Sequence, residues 1–130
     1  MLVITSLYAS MMAILVIFLA FKVVDFRRTK SVGLGDNGDK QGMRAIRVHA
    51  NAVEYIPLFL ILMGLYEANG GNDLVLHIVG FIAVIARLLH ATGLSKSAGT
   101  TFGRFVGTLL TWILTLILAG LNFYHFVSQM

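Results

Sequence analysis

Residues 44–57 read Arg-Ala-Ile-Arg-Val-His-Ala-Asn-Ala-Val-Glu-Tyr-Ile-Pro, and they run straight into Leu58 to Leu65, a stretch almost without a polar atom. In a helix Arg44, Arg47, Asn51 and Glu54 fall at i, i+3, i+7 and i+10 and form one stripe. The opposite flank is apolar. A polar stripe thus leads into a segment built for lipid, where an amide and a carboxylate are costly unless they face a bundle interior or an aqueous cavity. That cost decides the fold and marks a candidate site.

The 130 residues leave room for one domain, 1–130. With 58% hydrophobic residues against 12% charged and a mean hydropathy of +0.85, a water-soluble fold of this size could not bury its apolar surface. The class is an all-α integral membrane protein. The chain has no cysteine, which excludes disulfides, thiolate metal sites and a cysteine nucleophile. No metal-ligand spacing, glycine-rich phosphate loop or nucleophile–base pair stands out, so no metal is expected.

Four spans are expected, at about 2–24, 46–66, 74–94 and 103–127, each near the ~20 residues that cross the hydrocarbon core. Met1 to Phe21 carries no charge, no basic segment precedes it, and no small-residue cleavage pattern follows before Lys22, so it is read as a retained helix. Residues 22–43 are rich in glycine and aspartate and read as a flexible connection. Pro57 lies inside the second span, where its ring and missing amide favour a bend. Glu67 to Asp73 makes a short turn, so the second and third spans are antiparallel neighbours. Seven of the ten basic residues lie between Lys22 and Arg47, three between Arg87 and Arg104, and none in the intervening turn. By the positive-inside rule, loops 22–46 and 95–104 are cytoplasmic and both termini lie outside. This explains the net charge of +4 without a nucleic-acid partner.

Antiparallel packing brings the polar residues to one end. Glu54 lies ~15 Å along the second helix from Arg44 at 1.5 Å per residue. Arg87 and His90, at i and i+3, share a face near the end of the third span. Arg104 opens the fourth span at that level, and Arg27 and Arg28 close the first. The expected result is a cationic pocket with one carboxylate and one amide, suited to a polyanionic, peptide-like ligand whose carboxylates arginine forks can hold. A thiol held there has its pKa lowered by the guanidinium groups. The same residues also have plainer readings: arginines at helix ends anchor topology, and Arg47, Asn51, Glu54 and Arg87 can form an inter-helix network. His77, Asn122 and His125 read as interfacial, and Tyr8, Tyr66, Trp112 and Tyr124 as packing or belt residues.

The pattern Arg44-x-x-Arg47-x-His49-x-Asn51-x-x-Glu54-Tyr55-x-Pro57 resembles the signature of the MAPEG family, membrane-associated proteins in eicosanoid and glutathione metabolism, in its bacterial branch. Length, four spans and an arginine-rich first loop are similar too. The resemblance implies a homotrimer that binds glutathione between protomers. Arg47, Asn51, Glu54 and Tyr55, with Arg44, are similar to the second-helix residues that hold the tripeptide. Arg87 and His90 resemble third-helix contacts, Arg104 the arginine that stabilises the glutathione thiolate, and Arg27 or Arg28 the first-helix arginine. One position departs: several catalytic members carry a tyrosine where this chain has Leu94, which removes a phenolic hydrogen bond near the thiol.

The expected function is a glutathione transferase or peroxidase of the bacterial inner membrane, with glutathione as co-substrate and an apolar electrophile or lipid hydroperoxide arriving from the bilayer lipids. A non-catalytic lipid- or glutathione-binding scaffold is the alternative. A small four-span exporter is the third reading, although proteins of that kind centre on a first-span glutamate and Met1 to Phe21 has no carboxylate.

Overall fold

The computed structural model describes residues 1–96 and 101–130, and among them only helices form regular structure. They are α1 (Val3–Lys30), α2 (Lys40–Ala68), α3 (Asp73–Lys96) and α4 (Phe102–Ser128). All four are long and apolar enough to cross a membrane, so the chain is an integral membrane four-helix bundle. Residues 97–100 of the second basic loop lie outside the described residues.

The helices outrun the apolar stretches because local caps extend them into polar sequence. α2 begins at Lys40, ahead of the expected span at 46, because the Asp39 side chain accepts hydrogen bonds from Gln41 N at 2.7 Å and Gly42 N at 3.2 Å. Those two amides, with Lys30 at 3.6 Å, hold the Asp39 carboxyl below its usual range. α1 ends in a left-handed Ser31, whose amide bonds Arg28 O while Val32 N bonds Arg27 O, satisfying the last carbonyls. α2 runs through Pro57 as a single helix.

Packing follows short connections. α2 packs against each of the other three helices, α3 against α1, α2 and α4, and among the described residues α1 and α4 do not meet. α2 and α3 are therefore the bundle's inner pair. The core around this pair holds Met12 of α1, Phe59, Met63, Leu76 and Leu118 of α4, each at most 2% exposed. Residues read from sequence as interfacial or packing tie the end away from the arginines. Tyr8 Oη donates to His77 O at 3.0 Å and lies 3.1 Å from His77 Nδ1. The Glu67 carboxylate accepts from Ile4 N and Thr5 N, capping α1 from the end of α2. Asn122 Nδ2 donates to Leu62 O at 2.9 Å, joining α4 to α2.

At the arginine end α3 and α4 approach through glycines. A Cβ on Gly107 would lie 2.5 Å from Ala86 O and 2.7 Å from His90 N, and one on Gly93 would lie 2.5 Å from Arg104 N. Only a small residue allows backbones so close. Gly107→Ala is accordingly expected to push α4 away from His90 and to cost about 1–3 kcal/mol of stability, as overpacking does. Thermal unfolding of the detergent-solubilised variant measures it, and an unchanged midpoint would mean that the helices separate freely here.

Candidate functional site

The polar centre of the bundle is Arg87. Its helix position on α3 turns it towards α2, where it is 2% exposed. Its Nη2 donates to Asn51 Oδ1 at 2.7 Å, and His90 Nδ1, one turn along α3, lies 3.5 Å from the same nitrogen. His90 is also 2% exposed. Among the described residues no carboxylate pairs with Arg87, and its Nε meets no acceptor. A buried guanidinium with a single short hydrogen bond is an unusual expense inside a membrane bundle, where such groups pair with acids or with several carbonyls. The group is held in place and its charge is left largely uncompensated.

The neighbouring wall comes from α2 and α4. Tyr55 is half-buried and lines a narrow void beside Arg87, together with Met12, Phe59 and Thr111. Its ring sits 6.5 Å from that of Trp112 at 45°. Arg104 opens α4 at the same level. Thr101 Oγ1 accepts its backbone amide at 3.3 Å, Thr108 donates to its carbonyl, and the Gly93 and Gly107 contacts hold this turn against the end of α3. The N-terminus of α4, with its positive dipole end, therefore faces the same region as Arg104.

The remaining stripe points elsewhere. Arg47 and Glu54 are exposed on α2, on the same outward side as Val53, Leu58, Ile61 and Leu65. Asn51 and Tyr55, both half-buried, form the edge between that outward face and the buried cluster. The structure thus brings Asn51, Tyr55, Arg87 and His90 together inside the bundle, while Arg47 and Glu54 face out of it. Arg44 is half-buried and lines a separate cavity of about 270 Å³ with Lys22, Asp25 and Gln41. Arg28 is exposed in the last turn of α1, and the neighbouring Arg27 is half-buried with its Nε enclosed. Among the described residues no group of His, Asp and Glu could hold a metal.

An outward carboxylate ~21 Å along α2 from Lys40 stands at a depth where lipid is a poor neighbour. Arg47, Asn51 and Glu54 consequently place donors and acceptors on an open helix face, backed by a buried cation. Such a surface can hold an anionic, hydrogen-bonding molecule against Asn51 and Arg87.

The model of the MAPEG family matches residues 5–124. Two relatives, both named inner membrane protein YecN, one from Escherichia coli strain K12 and one from E. coli O6:H1 strain CFT073, are each 34% identical over 122 residues, covering 94% of this chain and 92% of theirs. The matched range reaches into all four helices, and this four-helix membrane protein belongs to the MAPEG family.

Proposed function

We propose that the chain is a glutathione transferase, with glutathione peroxidase activity, of the bacterial inner membrane, assembled as a homotrimer. The observation that carries this reading is the uncompensated Arg87 guanidinium, fixed on Asn51 at the edge of an open face bearing Arg47 and Glu54. In a trimer a neighbouring protomer covers that face, and Arg28 or Arg27 of the next α1 closes the tripeptide in. Glutathione enters from the cytoplasm. Its carboxylates meet Arg47 and Arg87, its ammonium group meets Glu54, and an amide meets Asn51. Arg104 and the α4 N-terminus stabilise the thiolate.

With an aryl chloride, the sulfur attacks the ring carbon, a C–S bond forms, the C–Cl bond breaks and chloride leaves. With a lipid hydroperoxide, the sulfur takes the terminal oxygen, the O–O bond breaks, and the lipid alcohol departs. A second glutathione then reduces the sulfenic acid to the disulfide and water. Binding both reactants side by side lowers the entropic part of the barrier. Conjugation of a chloronitrobenzene by purified protein tests the proposal. The rate should exceed the uncatalysed reaction and saturate with glutathione. In Arg47→Ala, KM for glutathione should rise about ten- to a hundredfold with kcat little changed, because one charge-assisted contact is worth ~1.5–3 kcal/mol. A background rate in both proteins would sink the catalytic reading.

Leu94, in place of the tyrosine that catalytic relatives carry, favours a second reading: a non-catalytic protein that holds glutathione or a lipid at the same face. Saturable glutathione binding with no turnover would select it.

A further inference from the structure

Away from the Arg87 cluster, an apolar furrow runs along the outer seam of α1 and α3. Two hollows of about 290 and 310 Å³ share Leu15, Phe18 and Leu88, so they form one trough. Met11, Leu15, Phe18 and Lys22 stand at i, i+4, i+7 and i+11 on α1, and Val84, Leu88 and Ala91 face them from α3. The run from Met11 to Lys22 is ~16 Å long, about half of the hydrocarbon thickness. Its upper part has no polar lining at all.

Lys22 closes the trough at the arginine end. Its side chain is exposed, and Nζ stands 4.9 Å above the Phe18 ring, which keeps the ammonium over the furrow. Thr92, the other polar residue there, bonds back to Leu88 O and Leu89 O and has its donor satisfied. Lys22 also lines the adjoining polar cavity with Arg44, Gln41 and Asp25, where two cations outnumber one carboxylate. An apolar slot of acyl-chain length ending at a net-positive polar cavity is complementary to a lipid with a negative headgroup.

We infer that the α1/α3 furrow is a binding site for an anionic phospholipid, with one acyl chain between Met11 and Ala91 and the phosphate at Lys22. The inference does not depend on the glutathione reading, since none of the furrow residues belongs to the Arg87 cluster. The test uses the purified chain, stripped of lipid by detergent exchange and incubated with equimolar phosphatidylglycerol and phosphatidylcholine bearing identical chains. Native mass spectrometry counts the lipid retained. Phosphatidylglycerol should be retained several-fold over phosphatidylcholine. Lys22→Gln, at an exposed position, should bring the ratio close to one, and Leu88→Trp, which fills the trough from its lipid-facing wall, should lower retention of both. Equal retention by the wild type, or retention unchanged in both variants, would overturn the inference. So would displacement of the phospholipid by an equal concentration of oleate, which would assign the slot to a free fatty acid.

Discussion

Arg104→Ala is expected to slow conjugation about 100-fold, the size of effect seen when one preorganised donor to a developing or stabilised anion is removed. Glutathione affinity should change only a few-fold. Arg104 is set by its backbone: Thr101 caps the first turn of α4, and the close approach at Gly93 and Gly107 leaves that turn little freedom against α3. The side chain thus starts from a fixed base, and its charge adds to the dipole of the helix it begins. Removing it raises the pKa of the bound thiol, so less thiolate is present at neutral pH. Rate should therefore recover as pH rises, with the midpoint of the pH–rate profile displaced upward from that of the wild type. Arg104→Lys should restore part of the rate. A uniform fall in rate at every pH, with the midpoint unmoved, would show that Arg104 acts only on packing.

Asn51→Ala is expected to combine the largest stability loss with loss of the ligand. It removes the one short hydrogen bond to a guanidinium that is 2% exposed, leaving a buried charge with only His90 Nδ1 at 3.5 Å beside it. Hydrogen bonds to charged groups contribute about 1.5–3 kcal/mol, and a buried group left unsatisfied falls at the upper end of that range. Arg87→Met removes the charge itself and so should destabilise less than Asn51→Ala, and the double variant should be more stable than Asn51→Ala alone. All three should bind glutathione at least tenfold more weakly. Thermal unfolding of the four proteins in one detergent completes the cycle. If Asn51→Ala and Arg87→Met prove additive, the pair is not coupled and the geometry of the cluster is incidental.

The four helices could be read from sequence because the uncharged runs are long and the charges fall between them. What escaped was the length of α2, because hydropathy weakens before Lys40 while the Asp39 cap continues the helix. Asp39 followed by free amides at Gln41 and Gly42 was the available signal. Helical periodicity likewise placed Arg87 with His90 and aimed both at the level of Asn51, and all three are in hydrogen-bonding reach. It could not say which edge of the α2 stripe turns inward. The stripe fixes the angle between Asn51 and Glu54, whereas the neighbours of α2 fix which of them is covered. Asn51 faces α3, and Glu54 is exposed. The ties at the other end, Tyr8 to His77 and Asn122 to Leu62, join residues more than 50 positions apart, and no local pattern encodes them.

Calorimetric titration of the detergent-solubilised protein with glutathione, alongside Asn51→Ala and Arg47→Ala, tests the central claim most directly. Saturable binding by the wild type, lost in Asn51→Ala and weakened at least tenfold in Arg47→Ala, is the expected result. No heat of binding at millimolar glutathione, or binding that both variants keep unchanged, would contradict it and leave Arg87 and Asn51 as a structural pair.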